Sequence, residues 1–201
     1  MSADTKTVML LLFPDVEVLD FAGPFEVFSV AAQNAAPRSI RAMTVAHRQE
    51  QLAAVGGLKV VPDHDFASAP QADVLLVPGG RGSRHAVQDE AVLAWLQKQA
   101  AGAEIVASIC TGALLLGRLG LLDGLRATTH WGAIDLLREI APRSEVLTET
   151  RFVDNGKYLT SAGISAGIDM SLYLVSRLYG ARLAAQTARE MEYDWRVRQP
   201  G

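Results

Sequence analysis

Glu104-Ile105-Val106-Ala107-Ser108-Ile109-Cys110-Thr111-Gly112-Ala113-Leu114-Leu115-Leu116-Gly117 joins an unbroken apolar run to the start of an amphipathic stretch. A short apolar run without alternation reads as a strand covered on both faces, here Glu104–Ser108, and the 3.6-residue period over Thr111–Leu119 reads as a helix. Strand feeding helix is the repeating unit of a parallel α/β sheet. The same alternation extends outward in both directions. Val8–Phe13, Ala42–Ala46, Leu58–Val61 and Val74–Val77 read as further strands. Leu19–Ala32, Asp89–Gln99, Trp131–Ile140, Ser165–Tyr179 and Ala181–Glu192 carry helical periodicity. The expected fold class is α/β: a three-layer sandwich with a mostly parallel central sheet. Glu145–Thr150 and Arg151–Thr160 flank Asp154-Asn155-Gly156, a turn that predicts a small antiparallel hairpin. No repeat, low-complexity tract or linker divides the sequence, so residues 1–201 are expected to form a single domain.

Composition narrows the function classes. The chain has 201 residues, 49% of them apolar and 20% charged, which is ordinary for a globular protein with a sizeable core. Nineteen basic and twenty-two acidic side chains leave a formal charge of −3, and no dense Lys/Arg run offers itself to phosphates. Nucleic acid is not an expected partner; a small-molecule substrate is. The first apolar run, Val8 to Phe13, lacks the basic flank and cleavage pattern of a signal peptide, and no stretch is long enough to span a membrane. A cytoplasmic location is expected. Cys110 is the single cysteine, which excludes an intrachain disulfide and any multi-cysteine metal site. His47, His64 and His85 lack metal-ligand spacing, and Asp63-His64-Asp65 reads as a solvated turn. Neither a metal nor a nucleotide cofactor is expected, since no phosphate-cradling glycine motif occurs.

Chemistry gathers around the opening segment. Cys110 falls at the strand-to-helix turn, where helix N–H groups and the positive dipole end would favour thiolate; the alternative is a buried, inert cysteine. Gly112 fits an elbow in which a side chain would collide with the neighbouring strand. After Val74–Val77, Pro78-Gly79-Gly80-Arg81-Gly82 forms a second turn of the same kind. The N–H groups of Gly79 and Gly80, with that of Thr111, could make an oxyanion-type hole, or the turn could be an ordinary connection. Asp20 follows the first strand and can reach the same sheet edge, or serve only as a helix N-cap. His130, in Thr128-Thr129-His130-Trp131, is either a site residue or a structural histidine at a helix start. Two aromatics in Met191-Glu192-Tyr193-Asp194-Trp195 are expected to pack or to cover a dimer surface.

LLFPDVEVLDFAGPFEVF (11–28), PGGRG (78–82), ASICTGALLLGRLGLLDGLRATTHW (107–131) and SAGISAGIDMSLYLV (161–175) together resemble the isocyanide hydratases of the PfpI-like superfamily, relatives of the class I glutamine amidotransferases. The resemblance runs over nearly the whole chain, and the same stretches occur in amino-terminal domains of some AraC-type regulators. It implies a flavodoxin-like sandwich, a homodimer, no cofactor and a nucleophile at Cys110. Asp20 matches the aspartate of the hydratases' L-D-x-x-G-P, where much of the superfamily carries a glutamate. Thr111 stands where protease-like members carry histidine, and the H-x-E pair of amidotransferases is absent. His130 aligns with a histidine that approaches the cysteine in some members. The implied activity is hydration of an organic isocyanide to an N-formamide. The alternatives are glyoxalase or deglycase-like chemistry and a stand-alone ligand-sensing or redox-sensing domain; the sequence ends just after its last helix, with no segment for DNA-binding helices.

Overall fold

The computed structural model describes residues 5–35, 40–196 and 201; the single-domain reading of 1–201 extends in part beyond these. In chain order the elements are β1 (Lys6–Leu11), α1 (Val18–Asn34), β2 (Ile40–Ala46), β3 (Leu52–Ala53), β4 (Lys59–Val60), β5 (His64–Asp65), β6 (Val74–Val77), α2 (Ser83–Ala86), α3 (Glu90–Gly102), β7 (Ile105–Ile109), α4 (Ala113–Arg118), β8 (Arg126–Ala127), α5 (Ile134–Ile140), β9 (Glu145–Val146), β10 (Phe152–Asp154), β11 (Tyr158–Ser161), α6 (Ala166–Tyr179) and α7 (Ala181–Glu190).

Seven strands form the central sheet in the order β10-β11-β7-β6-β1-β2-β5, all parallel except β10. The expected α/β sandwich is what forms. The middle strands β1, β6 and β7 are buried at almost every position, which is why they read as continuous apolar runs. Helices α1, α6 and α7 pack together as one layer, while α4 and α5 pack together elsewhere. Gly23 and Gly167 allow the close approaches: an added Cβ would meet Ile168 Cγ1 at 2.9 Å and Ile109 Cγ2 at 2.9 Å, respectively. Among the described residues, no helix is long and apolar enough to cross a membrane.

Three expectations are corrected. Leu58–Val61 does not join the main sheet: only Lys59–Val60 is strand, paired antiparallel with Leu52–Ala53 in a two-stranded ribbon. Asp63-His64-Asp65 is not a solvated turn. His64–Asp65 pairs with Val45–Ala46 as the sheet edge, and the Asp63 carboxylate accepts both the N–H and the hydroxyl of Thr44 at 2.8 Å. Edge strands this short carry too few residues for a periodic signal. The hairpin exists, but its arms are β10 and β11; Glu145–Val146 pairs instead with Arg126–Ala127. Its turn is held by the Gly156 N–H, which donates to Asp154 Oδ1 at 2.7 Å, with Gly156 at φ 84°.

Register decides where function can sit. Val77 lies beside Ser108, and Ile109 beside Ser161, so the segments following β6, β7 and β11 leave the sheet at one carboxyl edge. Chain order reverses between β1 and β6, the position at which open α/β sheets leave a crevice. Asp20, Gly79, Cys110 and Ile164 all lie just beyond this edge.

Candidate active site

Cys110 opens a three-residue turn, Cys110–Gly112, that leads into α4. Its φ of 54° is left-handed, a strained conformation for a residue with a side chain, and gives the sharp strand-to-helix elbow expected there. The elbow is bolted down from three sides. Cys110 N–H donates to Ala162 O at 3.3 Å, Thr129 Oγ1 donates to the Cys110 carbonyl at 2.7 Å, and Gly112 abuts β6 so closely that any Cβ would run into the Val77 carbonyl. Gly112→Ala should therefore displace the elbow and cost about 1–3 kcal/mol or more in stability. Thermal melting checks this; an alanine variant that melts like the parent would contradict the close packing.

Asp20 reaches Cys110 through a second zipper. The loop after β1 pairs with the PGGRG turn: Glu17 N–H donates to Gly79 O at 2.9 Å, and Gly82 N–H to Asp15 O at 3.0 Å. Helix α1 then starts with Glu17 at its N-cap, so the N-cap alternative for Asp20 is overturned. Asp20 sits in the first turn of α1, wholly buried at 0% exposure. Its Oδ2 accepts the Gly79 N–H at 3.0 Å. Its Oδ1 is buried and meets no donor in good hydrogen-bond geometry. The Cys110 thiol and the Ile164 N–H nevertheless lie close enough to favour the charged carboxylate.

Burial raises the Asp20 carboxyl from the ordinary 3.8 to about 7, against the opposing pull of Gly79, Cys110 and Ile164. Burial also pushes the Cys110 thiol up to about 12, and the Asp20 charge adds to this. At 6% exposure, desolvation opposes the thiolate that the N–H groups of Thr111 and Ile164 favour. Above about pH 7 the two neighbouring groups hold one proton between them. Cys110 is a thiolate in that state only when Asp20 carries the proton.

The glycine turn does a different job from the one expected. The Gly79 N–H is occupied by Asp20 and the Gly80 N–H by Thr111 Oγ1 at 3.0 Å, so neither is a free oxyanion donor. The Ser83 hydroxyl, unnoticed in the sequence, lies within hydrogen-bond distance of both Gly80 O, at 2.8 Å, and Thr111 Oγ1, at 2.9 Å. The Thr111 side chain therefore clamps the two turns together, while its N–H faces the Cys110 sulfur. A Cβ on Gly79 would lie 2.5 Å from Thr111 N, so glycine is needed for this contact.

Residues 6–177 match the sequence profile of the DJ-1/PfpI family. The chain belongs to that family. It is 38% identical over 183 residues to the isonitrile hydratase of Pseudomonas putida, covering 91% of this chain and 76% of that protein. It is also 31% identical over 189 residues to the HTH-type transcriptional regulator GbdR of Pseudomonas aeruginosa; that match covers 94% of this chain but only about half, 51%, of the regulator. Among solved structures, a THiJ/PfpI family protein from Pseudomonas syringae superposes with a TM-score of 0.86 at 31% identity, covering 98% of this chain and 77% of that one.

On this DJ-1/PfpI scaffold a cleft of about 1090 Å³ opens beside the Cys110–Asp20 pair, walled by Thr129, His130, Trp131, Gly163 and Ile164 among others. Neither Cys110 nor Asp20 lines it. Ile164 connects them, because it borders the cleft while its N–H faces the pair. His130 caps the Trp131–Ala133 turn, its Nδ1 accepting the Gly132 N–H at 3.1 Å, and its ring lies against Gly163. It walls the cleft without touching the thiol in any contact among the described residues. Trp131, 84% exposed, stands at the rim, tilted against His130 with centroids 5.3 Å apart. Ile164 is the site residue that sequence reasoning missed. The only available signal was Gly163 before it, since an isoleucine at φ 54° follows no propensity.

Proposed function

We propose that this protein hydrates organic isocyanides to N-formamides through a thioimidate on Cys110. The observation that carries the reading is a wholly buried carboxyl, Asp20, beside the chain's one thiol. The similarity to an isonitrile hydratase supports it. An isocyanide carbon must gain a nucleophile and a proton at the same atom. Cys110 sulfur attacks the terminal carbon as Asp20, in its acid form, protonates that carbon, giving a neutral thioimidate. Asp20, now a carboxylate, takes a proton from water as the hydroxide adds to the carbon, and passes it to the nitrogen. Collapse of the adduct forms the carbonyl, returns the hydroxyl proton to Asp20 and expels the Cys110 thiolate. One water is consumed and the pair regains its shared proton. The Thr111 N–H, directed at the sulfur, steadies the thiolate that leaves, and the cleft receives the substituent on nitrogen.

The regulator relatives favour a second reading, a ligand-sensing domain built on the same cleft. Incubating the protein with a simple alkyl or aryl isocyanide and, separately, with an α-oxoaldehyde distinguishes the readings. Formamide should appear in many-fold excess over protein, with no hydroxy acid from the aldehyde. Hydroxy acid alone would replace the reading with glyoxalase-like chemistry, and binding without turnover would replace it with sensing.

The same reading carries a homodimer and a cytoplasmic location. Light scattering at micromolar concentration should give about twice the 21.6 kDa chain mass, and a monomer would contradict the dimer.

A further inference from the structure

Ile164 carries a burden out of proportion to its type. A β-branched residue at φ 54° is strained, and such a conformation persists only where its surroundings over-determine it. Arg151 does so from both sides. On one side, its carbonyl accepts the Ala162 N–H at 2.9 Å, and Ala162 O in turn accepts the Cys110 N–H. On the other, its Nη2 donates to Ser165 Oγ at 3.3 Å, while Nε and Nη2 reach Asp169 Oδ2 in the first turn of α6 at 2.7 and 2.5 Å. Gly163 and Ile164 are the two residues held between these grips. The Tyr193 hydroxyl fills the remaining Asp169 oxygen at 3.1 Å, so the buried carboxylate is satisfied at both oxygens. A buried ion pair is a weak source of net stability, which leaves its geometric consequence to be explained.

We propose that Arg151 is a positioning residue for the Cys110–Asp20 pair, holding segment 162–165 so that the Ile164 N–H stays directed at both groups. Without that grip Ile164 relaxes toward an ordinary backbone conformation and its N–H turns away. Cys110 and Asp20 then both lose a donor that favours their charged forms. The charged groups bearing on the pair are its own two members and Glu17. The Arg151 charge is already matched by Asp169, so its influence travels through the backbone N–H and not through space.

The pH profile of Cys110 alkylation by iodoacetamide tests this, and it is independent of which electrophile the enzyme uses. In Arg151→Gln the rate at neutral pH should fall about tenfold and the profile should move to higher pH, as expected for about one pKa unit of lost stabilisation. Arg151→Lys keeps a charge for Asp169 but not the fork that spans Ser165, so it should fall between parent and Arg151→Gln. A general loss of stability would lower the melting temperature without moving the profile. An Arg151→Gln variant that alkylates with the parent rate and profile would overturn the proposal. If that variant does not fold, Ser165→Ala decides by the same readout: a profile displaced upward supports the grip, and a parent-like one overturns it.

Discussion

Cys110→Ala is expected to leave no formamide production above buffer while the protein folds and melts much as the parent does. No other thiol exists to form the thioimidate, so the loss is of a covalent step and not of a contact. The side chain is buried but small, and alanine removes only its sulfur, so a stability change of about 1 kcal/mol is the scale to expect. Alanine also keeps the left-handed backbone no worse than cysteine does. Turnover by product analysis and melting by circular dichroism check the two halves separately. Undiminished turnover in this variant would end the covalent mechanism.

Asp20→Asn should lower turnover by roughly 10²–10⁴-fold, the range for removing a general acid–base, because an amide cannot carry the shared proton. The stability effect has the opposite sign from a lost cap. Asp20 titrates near 3.8 when unfolded and near 7 when folded, so between those values the folded state holds a proton that the unfolded state has lost. Stability therefore declines as pH rises through that window, and the cost of the buried charge is fully present above about pH 7. Asparagine cannot ionise, and its carbonyl can still accept the Gly79 N–H. The variant should melt at or above the parent temperature near pH 8, with the advantage fading toward about pH 4. A variant that is inactive and also less stable at pH 8 would show that the carboxylate holds the fold together instead.

Much of this was legible in the sequence because the relevant signals are local. The run Ile105–Ile109 reads as a strand without alternation because both faces of β7 are buried, and Gly112 is demanded by a backbone collision with the neighbouring strand. What the sequence hid depends on long-range pairing. Gly79 and Gly80 look like free donors until the fold brings Asp20 and Thr111 onto their N–H groups. The expected thiolate character of Cys110 took account of the helix start but not of the desolvation, which only the packed structure supplies. Ile164 was unreadable for a similar reason: its strain is imposed by Arg151, thirteen residues earlier in the chain, and by the turn at Cys110. Short edge pairings such as Val45 with His64 left no pattern because two residues cannot display a period.

The central claim is that one proton shared by Cys110 and Asp20 runs the chemistry, and the pH dependence of kcat/KM for isocyanide hydration tests it most directly. Below about 7 both groups are protonated and the pair is idle; above it a single proton remains, and the reactive arrangement of thiolate and carboxylic acid becomes available. The profile should rise about tenfold per pH unit up to about 7 and then stay level to about pH 10. A rate that keeps climbing through that range would reveal a lone thiol titrating by itself, and a rate that falls as pH rises through 7 would mean the doubly protonated pair is the active form; either result would contradict the account.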